Sequence, residues 1–240
     1  MGRAHEVRKA AMAKTAAAKS KLNNKYGRSI YVAAKSGVPD PELNQALKKE
    51  IEKAKKEQVS AEVIKRAIEK AKGGEVESYV PANYEGFGPN NTLIIVDCLT
   101  DNPNRTYIDV RTAFSRSNCK LGVTGSVAHM FENLSVFSFE GLDEEETLEA
   151  LIDGDCDVKE ILSEDGLISV LAPITEYAKV KQALLDYQPD LDFLEDTVAW
   201  IPLNYIQLTD EEDKKTLERL LQLLDEIDDV QDVYHNVENF

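Results

Sequence analysis

Residues 135–199 read SVFSFEGLDEEETLEALIDGDCDVKEILSEDGLISVLAPITEYAKVKQALLDYQPDLDFLEDTVA, and their rhythm decides the fold. Short β-rich runs at 135–140, 156–161, 167–171 and 193–199 alternate with helical patterns at 143–152 and 175–187. The order β-α-β-β-α-β is the ferredoxin-like arrangement. The flanks repeat it when joined across this segment. On one side lie a dense apolar strand at 92–99 (TLIIVDCL), a helix at 102–118 with Tyr107, Val110, Ala113 and Phe114 inward, and a strand at 125–131. On the other lie a strand at 203–208, a helix at 210–227 and a strand at 230–237. Leu217, Leu220, Leu221, Leu224 and Ile227 give the second helix a stripe at spacings of three and four.

Ahead of both stands a helical region. Residues 1–22 are rich in Ala and Lys, which favours helix. A short helix at 26–36 ends at Gly37, and Asp40-Pro41 has the form of an N-cap followed by a first-turn proline. Leu43, Leu47, Ile51 and Ala54 would be its buried stripe. Ser60 caps a third helix with Val63, Ala67 and Ile68 inward, stopped by Gly73-Gly74. The expected class is α+β: an N-terminal helical domain (1–75) and two ferredoxin-like domains. One is split (76–133 plus 202–240) and the other is inserted in it (134–201).

The 240 residues carry 28 Lys+Arg against 44 Asp+Glu, a net charge of −16. That total hides a division. Residues 1–72 hold 18 basic and 8 acidic side chains, and residues 73–240 hold 10 and 36. Arg3, Arg8, Lys9, Lys14, Lys19, Lys21, Lys25 and Arg28 face Glu6 alone in the first 28 residues. Such asymmetry suits a basic arm for a polyanion on a solubilising acidic body. The same charges could equally be a solvated helix face, or an arm docked on the chain's own acidic part.

Chemistry of the enzymatic kind is missing from the pattern. His5, His129 and His235 are remote from one another, and Cys98, Cys119 and Cys156 form no CxxC. The carboxylate runs at 143–146 and 210–213 open predicted helices, where they offset the helix dipole. Ser126 lacks a GxSxG elbow, and neither a P-loop nor a GxGxxG is present. The expectation is a non-enzymatic protein without metal or cofactor. No apolar run approaches the roughly 20 residues of a membrane span. The N-terminus has no apolar signal core, so the expected place is the cytoplasm.

Two loops stand out beside the apolar strand. YEGFGP (84–89) is a Gly/Pro turn with two aromatics, and CLTDNPNRT (98–106) leads from the strand into a helix. Asn102 or Asn104 can cap that helix, and Arg105, Arg111 and Arg116 add positive charge to an acidic body.

YEGFGPNN, then DCLTDNPNRTYIDVRTAF and LGVTGSVAHMF, resemble the YebC family, which includes the mitochondrial translational activator of cytochrome oxidase. The GRAHEVRK start, AAKSGVPDPELN, IKRAIEKAKGG and DDVQDVYHNVEN extend the resemblance over nearly the whole chain. DPELN is nearer the YeeN-like branch. Where the family usually has paired glycines, this chain has Asn90-Asn91 and Asn118-Cys119. The resemblance implies three domains and a non-enzymatic regulator of gene expression.

Two functions follow as expectations. The first is a DNA-binding transcriptional regulator acting through the basic helical domain, although no base-reading helix is evident in the sequence. The second is a ribosome-associated translation factor holding ribosomal RNA. The candidate nucleic-acid contacts are Arg3, Arg8, Lys9, Lys14, Lys19, Lys21, Lys25, Arg28, Asn102, Asn104, Arg105 and Arg111. A monomer is favoured.

Overall fold

The computed structural model describes residues 18–73 and 78–240, with side chains from residue 21 onward. The expected helix before residue 18, and Gly74 as a stop, lie outside the described residues. The elements in chain order begin with α1 (Ala18–Lys35), α2 (Gln45–Lys56) and α3 (Ala61–Lys72). Next come β1 (Val80–Phe87), β2 (Leu93–Thr100), α4 (Pro103–Arg116) and β3 (Lys120–Leu121). Then follow β4 (Phe131–Phe139), α5 (Glu144–Asp153), β5 (Glu160–Glu164), β6 (Leu167–Pro173), α6 (Tyr177–Tyr187) and β7 (Phe193–Pro202). The last two are α7 (Glu211–Asp225) and β8 (Val230–His235). The class is α+β, with a helical region and two four-stranded antiparallel sheets.

Two compact units result, one inserted in the sequence of the other. The inserted unit takes in 128–207 and 236–240. Its sheet runs β5-β6-β4-β7 with every pair antiparallel, the ferredoxin-like order expected for β-α-β-β-α-β. Phe137, Phe139, Ile168, Val170, Leu151, Leu184 and Phe193 form its core. Asp143 caps α5 through a complete capping box with Glu146, so the acidic run there is a helix start.

The other unit holds the described residues 18–127 and 208–235. Its helices share a core of Ile30, Tyr31, Ala34, Leu47, Ile51, Ala54, Ile64, Ala67 and Ala71. Its sheet runs β3-β1-β2-β8, and here several expectations change. VPANYEGF reads poorly as strand because it carries Pro81 and Gly86, yet it pairs along its whole length with β2. The turn lies only at 88–91, where Asn90 and Asn91 take left-handed backbone. Of residues 125–131 only Phe131 is strand, as the first residue of β4. The Glu85 carboxylate accepts the Gly125 (2.6 Å) and Val127 (2.5 Å) amides, which folds 125–127 back as a loop. Residues 203–208 make a single bridge, Ile206 to Val237, where a strand was expected.

Local capping also differs. The helices expected at 1–22 and 26–36 are, from Ala18 on, one helix that runs through Gly27 to Lys35. Asp40 caps only a turn. Asn44 starts α2 instead, because its side chain accepts from Leu47 N (3.0 Å) and its amide donates to Ala33 O and Val38 O. Leu43 is therefore 72% exposed rather than buried.

Gly86 sits where β1 meets α4. A Cβ there would stand 2.2 Å from Cε1 of the fully buried Phe114 and 3.0 Å from the Lys120 carbonyl. Gly86→Ala is expected to destabilise the protein by about 1–3 kcal/mol through overpacking, read as a lower urea midpoint with an unchanged slope.

Candidate nucleic-acid interface

The Asp229 carboxylate is 3% exposed and collects four side chains. Arg28 of α1 donates to Oδ1 at 2.6 Å. Arg105 (2.8 Å), Thr106 (2.6 Å) and Thr100 (3.1 Å) donate to Oδ2. Arg28 also reaches the Asp228 carbonyl at 2.8 Å and lies over the Tyr79 ring, 5.4 Å from its centroid. Burial alone would raise the Asp229 pKa, but the bonds from Thr106, Arg105 and Arg28 outweigh it and hold the group below its ordinary value. No sequence signal short of the Asp-Asp pair at 228–229 marked this residue.

The expected contacts divide around it. Arg3, Arg8, Lys9, Lys14 and the Lys19 side chain lie outside the described residues. Lys21 is held by Asp225, Lys25 by Asp232 at 2.6 Å, and Arg28 by Asp229. The three sit along α1 at spacings of four and three, so they form one face. That face is docked on the chain's own acidic residues, the alternative that the charge pattern left open. Arg105 is tied as well, to Asp101 (2.7 Å) and Asp229. Asn102 caps α4 by accepting from Arg105 N at 3.2 Å. A cleft of about 590 Å³ opens over this network. Asp101, Asp109, Glu226 and Asp228 line it beside Arg105 and Arg116, a mixture poorly suited to phosphate.

What stays outward is different. Asn104 and Arg111 are exposed on α4, and Arg111 stands in no ion pair among the described residues. Tyr107, expected to point inward, is 44% exposed on the same face. The two loops singled out in the sequence meet here: Tyr84 donates to the Pro103 carbonyl (3.1 Å), and its ring lies 6.2 Å from that of Tyr107.

A second outward surface is α2 and α3, joined by the four residues 57–60 with Gln58 at φ 58°. Both helices and the Ser60 cap between them are marked in the sequence, although no base-reading helix is evident there. Lys48, Lys55, Lys65, Arg66 and Lys72 are exposed. The Glu62–Arg66 and Lys65–Glu69 pairs are at least 63% exposed on every side chain, so they restrain little.

Elsewhere, burial raises the Cys98 thiol to about 12 and lowers His235 to about 4, so both stay uncharged. Among the described residues no cluster of three or more His, Cys, Asp and Glu is placed to hold a metal. No described helix is long and apolar enough to cross a membrane.

Replacing Asp229 by Asn leaves Arg28 and Arg105 facing a neutral group and should cost about 3 kcal/mol. Because the folded pKa is depressed, the wild-type contribution is complete above the unfolded value of about 3.9. It is lost as pH falls through the folded pKa. Acid unfolding followed by circular dichroism should therefore lose its Asp229-dependent part in Asp229→Asn, and the stability difference should shrink below about pH 4.

Comparison with known proteins completes the description. The family model described as the TACO1/YebC protein N-terminal domain matches residues 3–74, and that of the TACO1/YebC second and third domain matches 79–237. A "Probable transcriptional regulatory protein" of Marinobacter nauticus is 53% identical over 238 residues, covering 99% of this chain and 98% of its own. A relative of the same name from Acholeplasma laidlawii is 52% identical over 237 residues, covering 99% and 98%. The crystal structure of a conserved hypothetical protein from Aquifex aeolicus superimposes with a TM-score of 0.77 at 33% identity, over 94% of this chain and 93% of that one. With both domain models matched in order and identity sustained from end to end, the chain belongs to the TACO1/YebC family.

Proposed function

We propose that this protein is a non-enzymatic regulator of gene expression that holds DNA through its helical domain. The observation that carries the reading is the α2–turn–α3 outline. Its second helix starts at a Ser60 cap and presents Lys65 and Arg66 to solvent. In helix-turn-helix proteins the second helix enters the major groove, and basic side chains on it meet phosphates or guanine edges. The names of the relatives support a role in transcription. The reading includes the three domains 1–75, 76–133 plus 202–240, and 134–201, and a monomer in the cytoplasm.

A second reading, a ribosome-associated translation factor on ribosomal RNA, is favoured by one observation. The unpaired Arg111 and exposed Asn104 lie on a helix of the acidic part of the chain. Structured RNA is recognised by shape, stacking and phosphate contact rather than by a groove helix.

The DNA reading is tested by titrating duplex DNA at several salt concentrations. Lys65→Ala with Arg66→Ala should weaken binding and flatten the slope of log K against log salt by about 1–2, the value for one or two lost phosphate contacts. An unchanged slope and affinity would remove α3 from the interface. Crosslinking in cells with sequencing of both nucleic acids separates the two readings. Promoter enrichment supports the first, and a single patch of ribosomal RNA supports the second.

A further inference from the structure

We infer that the outer face of α4 is a docking surface for an unpaired stretch of RNA, with Tyr107 as the stacking platform and Arg111 as the phosphate contact. The inference rests on the second reading's premise that RNA is a target. It adds which part of an RNA is taken, and by which atoms.

Asn104, Tyr107, Arg111 and Ser115 recur at spacings of three and four, so they form one stripe on α4. None of the four is acidic, on a body whose residues 73–240 carry 36 Asp and Glu. Tyr107 is held in place from one side: Tyr84 packs against it at 6.2 Å and is itself anchored by its hydroxyl on the Pro103 carbonyl. The residue nevertheless stays 44% exposed. An aromatic ring fixed in this way offers a free flank to a base with little ordering cost. Ile108, 61% exposed, extends the apolar floor. A shallow trough of about 390 Å³ runs on along Ile108, Arg111, Ser115 and Arg116.

Charge decides between the possible occupants. Arg111 and Arg116 have no acidic partner among the described residues, while Arg105 on the same helix is taken by Asp101 and Asp229. A guanidinium left free one turn beyond an exposed tyrosine matches the spacing of a phosphate and its base, with the Asn104 amide able to meet a base edge. A paired duplex hides its base faces from a tyrosine. Unpaired nucleotides, which RNA presents in loops and bulges, do not.

The test uses the full-length protein and a fluorescent single-stranded RNA of mixed sequence about 12 nucleotides long, read by anisotropy, with duplex DNA in parallel. Tyr107→Ala and Arg111→Ala should each weaken RNA binding about tenfold, the effect of one lost stacking or phosphate contact. Tyr107→Phe, which keeps the ring, should retain it, and duplex binding should stay within twofold throughout. Thermal melts should match wild type, since both side chains are exposed. If the wild type binds RNA and both alanine variants bind equally well, this surface is wrong while the RNA reading stands. If the wild type binds no RNA, both are overturned. If Arg111→Ala loses RNA and duplex alike while Tyr107→Ala loses neither, the helix supplies charge alone and the stacking surface is refuted. The same holds if a protein partner captured from cells is released by Tyr107→Ala while RNA binding is untouched.

Discussion

One buried carboxylate organises the larger unit. Asp229 stands just ahead of β8, Thr100 ends β2, Arg105 and Thr106 open α4, and Arg28 comes from α1. An ion removed from water must be matched by close partners or it destabilises the fold. Here both oxygens are matched, by side chains from α1, from the end of β2 and from the start of α4. The helical region meets the split sheet at this group, with the Lys25–Asp232 pair as a second tie, and Leu99 N on the Asp229 carbonyl (2.8 Å) holds β2 to the residue ahead of β8.

This constraint also sorts the basic residues. Those of α1 that face the sheet are consumed internally, each by a particular acid, and Arg105 follows them. Lys48, Lys55, Lys65, Arg66 and Lys72 of α2 and α3 and the arginines at 111 and 116 are exposed. Net charge along the chain therefore overstates the outward positive surface of α1.

The inserted unit contributes differently. Its order of elements is continuous in the chain, and α5 starts at a complete capping box. That is why its β-α-β-β-α-β order could be read from pattern alone, with strand and helix limits displaced by a few residues.

The sequence by itself determined the class, the insertion, the buried stripes Leu47-Ile51-Ala54 and Leu217-Leu220-Leu224, the cap at Ser60, and the family, and it narrowed the cap of α4 to Asn102 or Asn104. All of these rest on local periodicity, capping chemistry or motif order. Tertiary structure alone decided the rest. β1 is a strand because β2 and β3 flank it, despite a proline and a glycine that lower its own preference. Residues 125–127 form a loop because Glu85, some 40 positions earlier, claims two of their amides. Tyr107 faces outward because Thr106, Val110, Ala113 and Phe114 occupy the inner side of its helix. Which of the many charges is inward and which is free depends on partners 120 and more residues away, such as Asp229 for Arg28 and Arg105. Pairing across that distance leaves no trace in the local pattern.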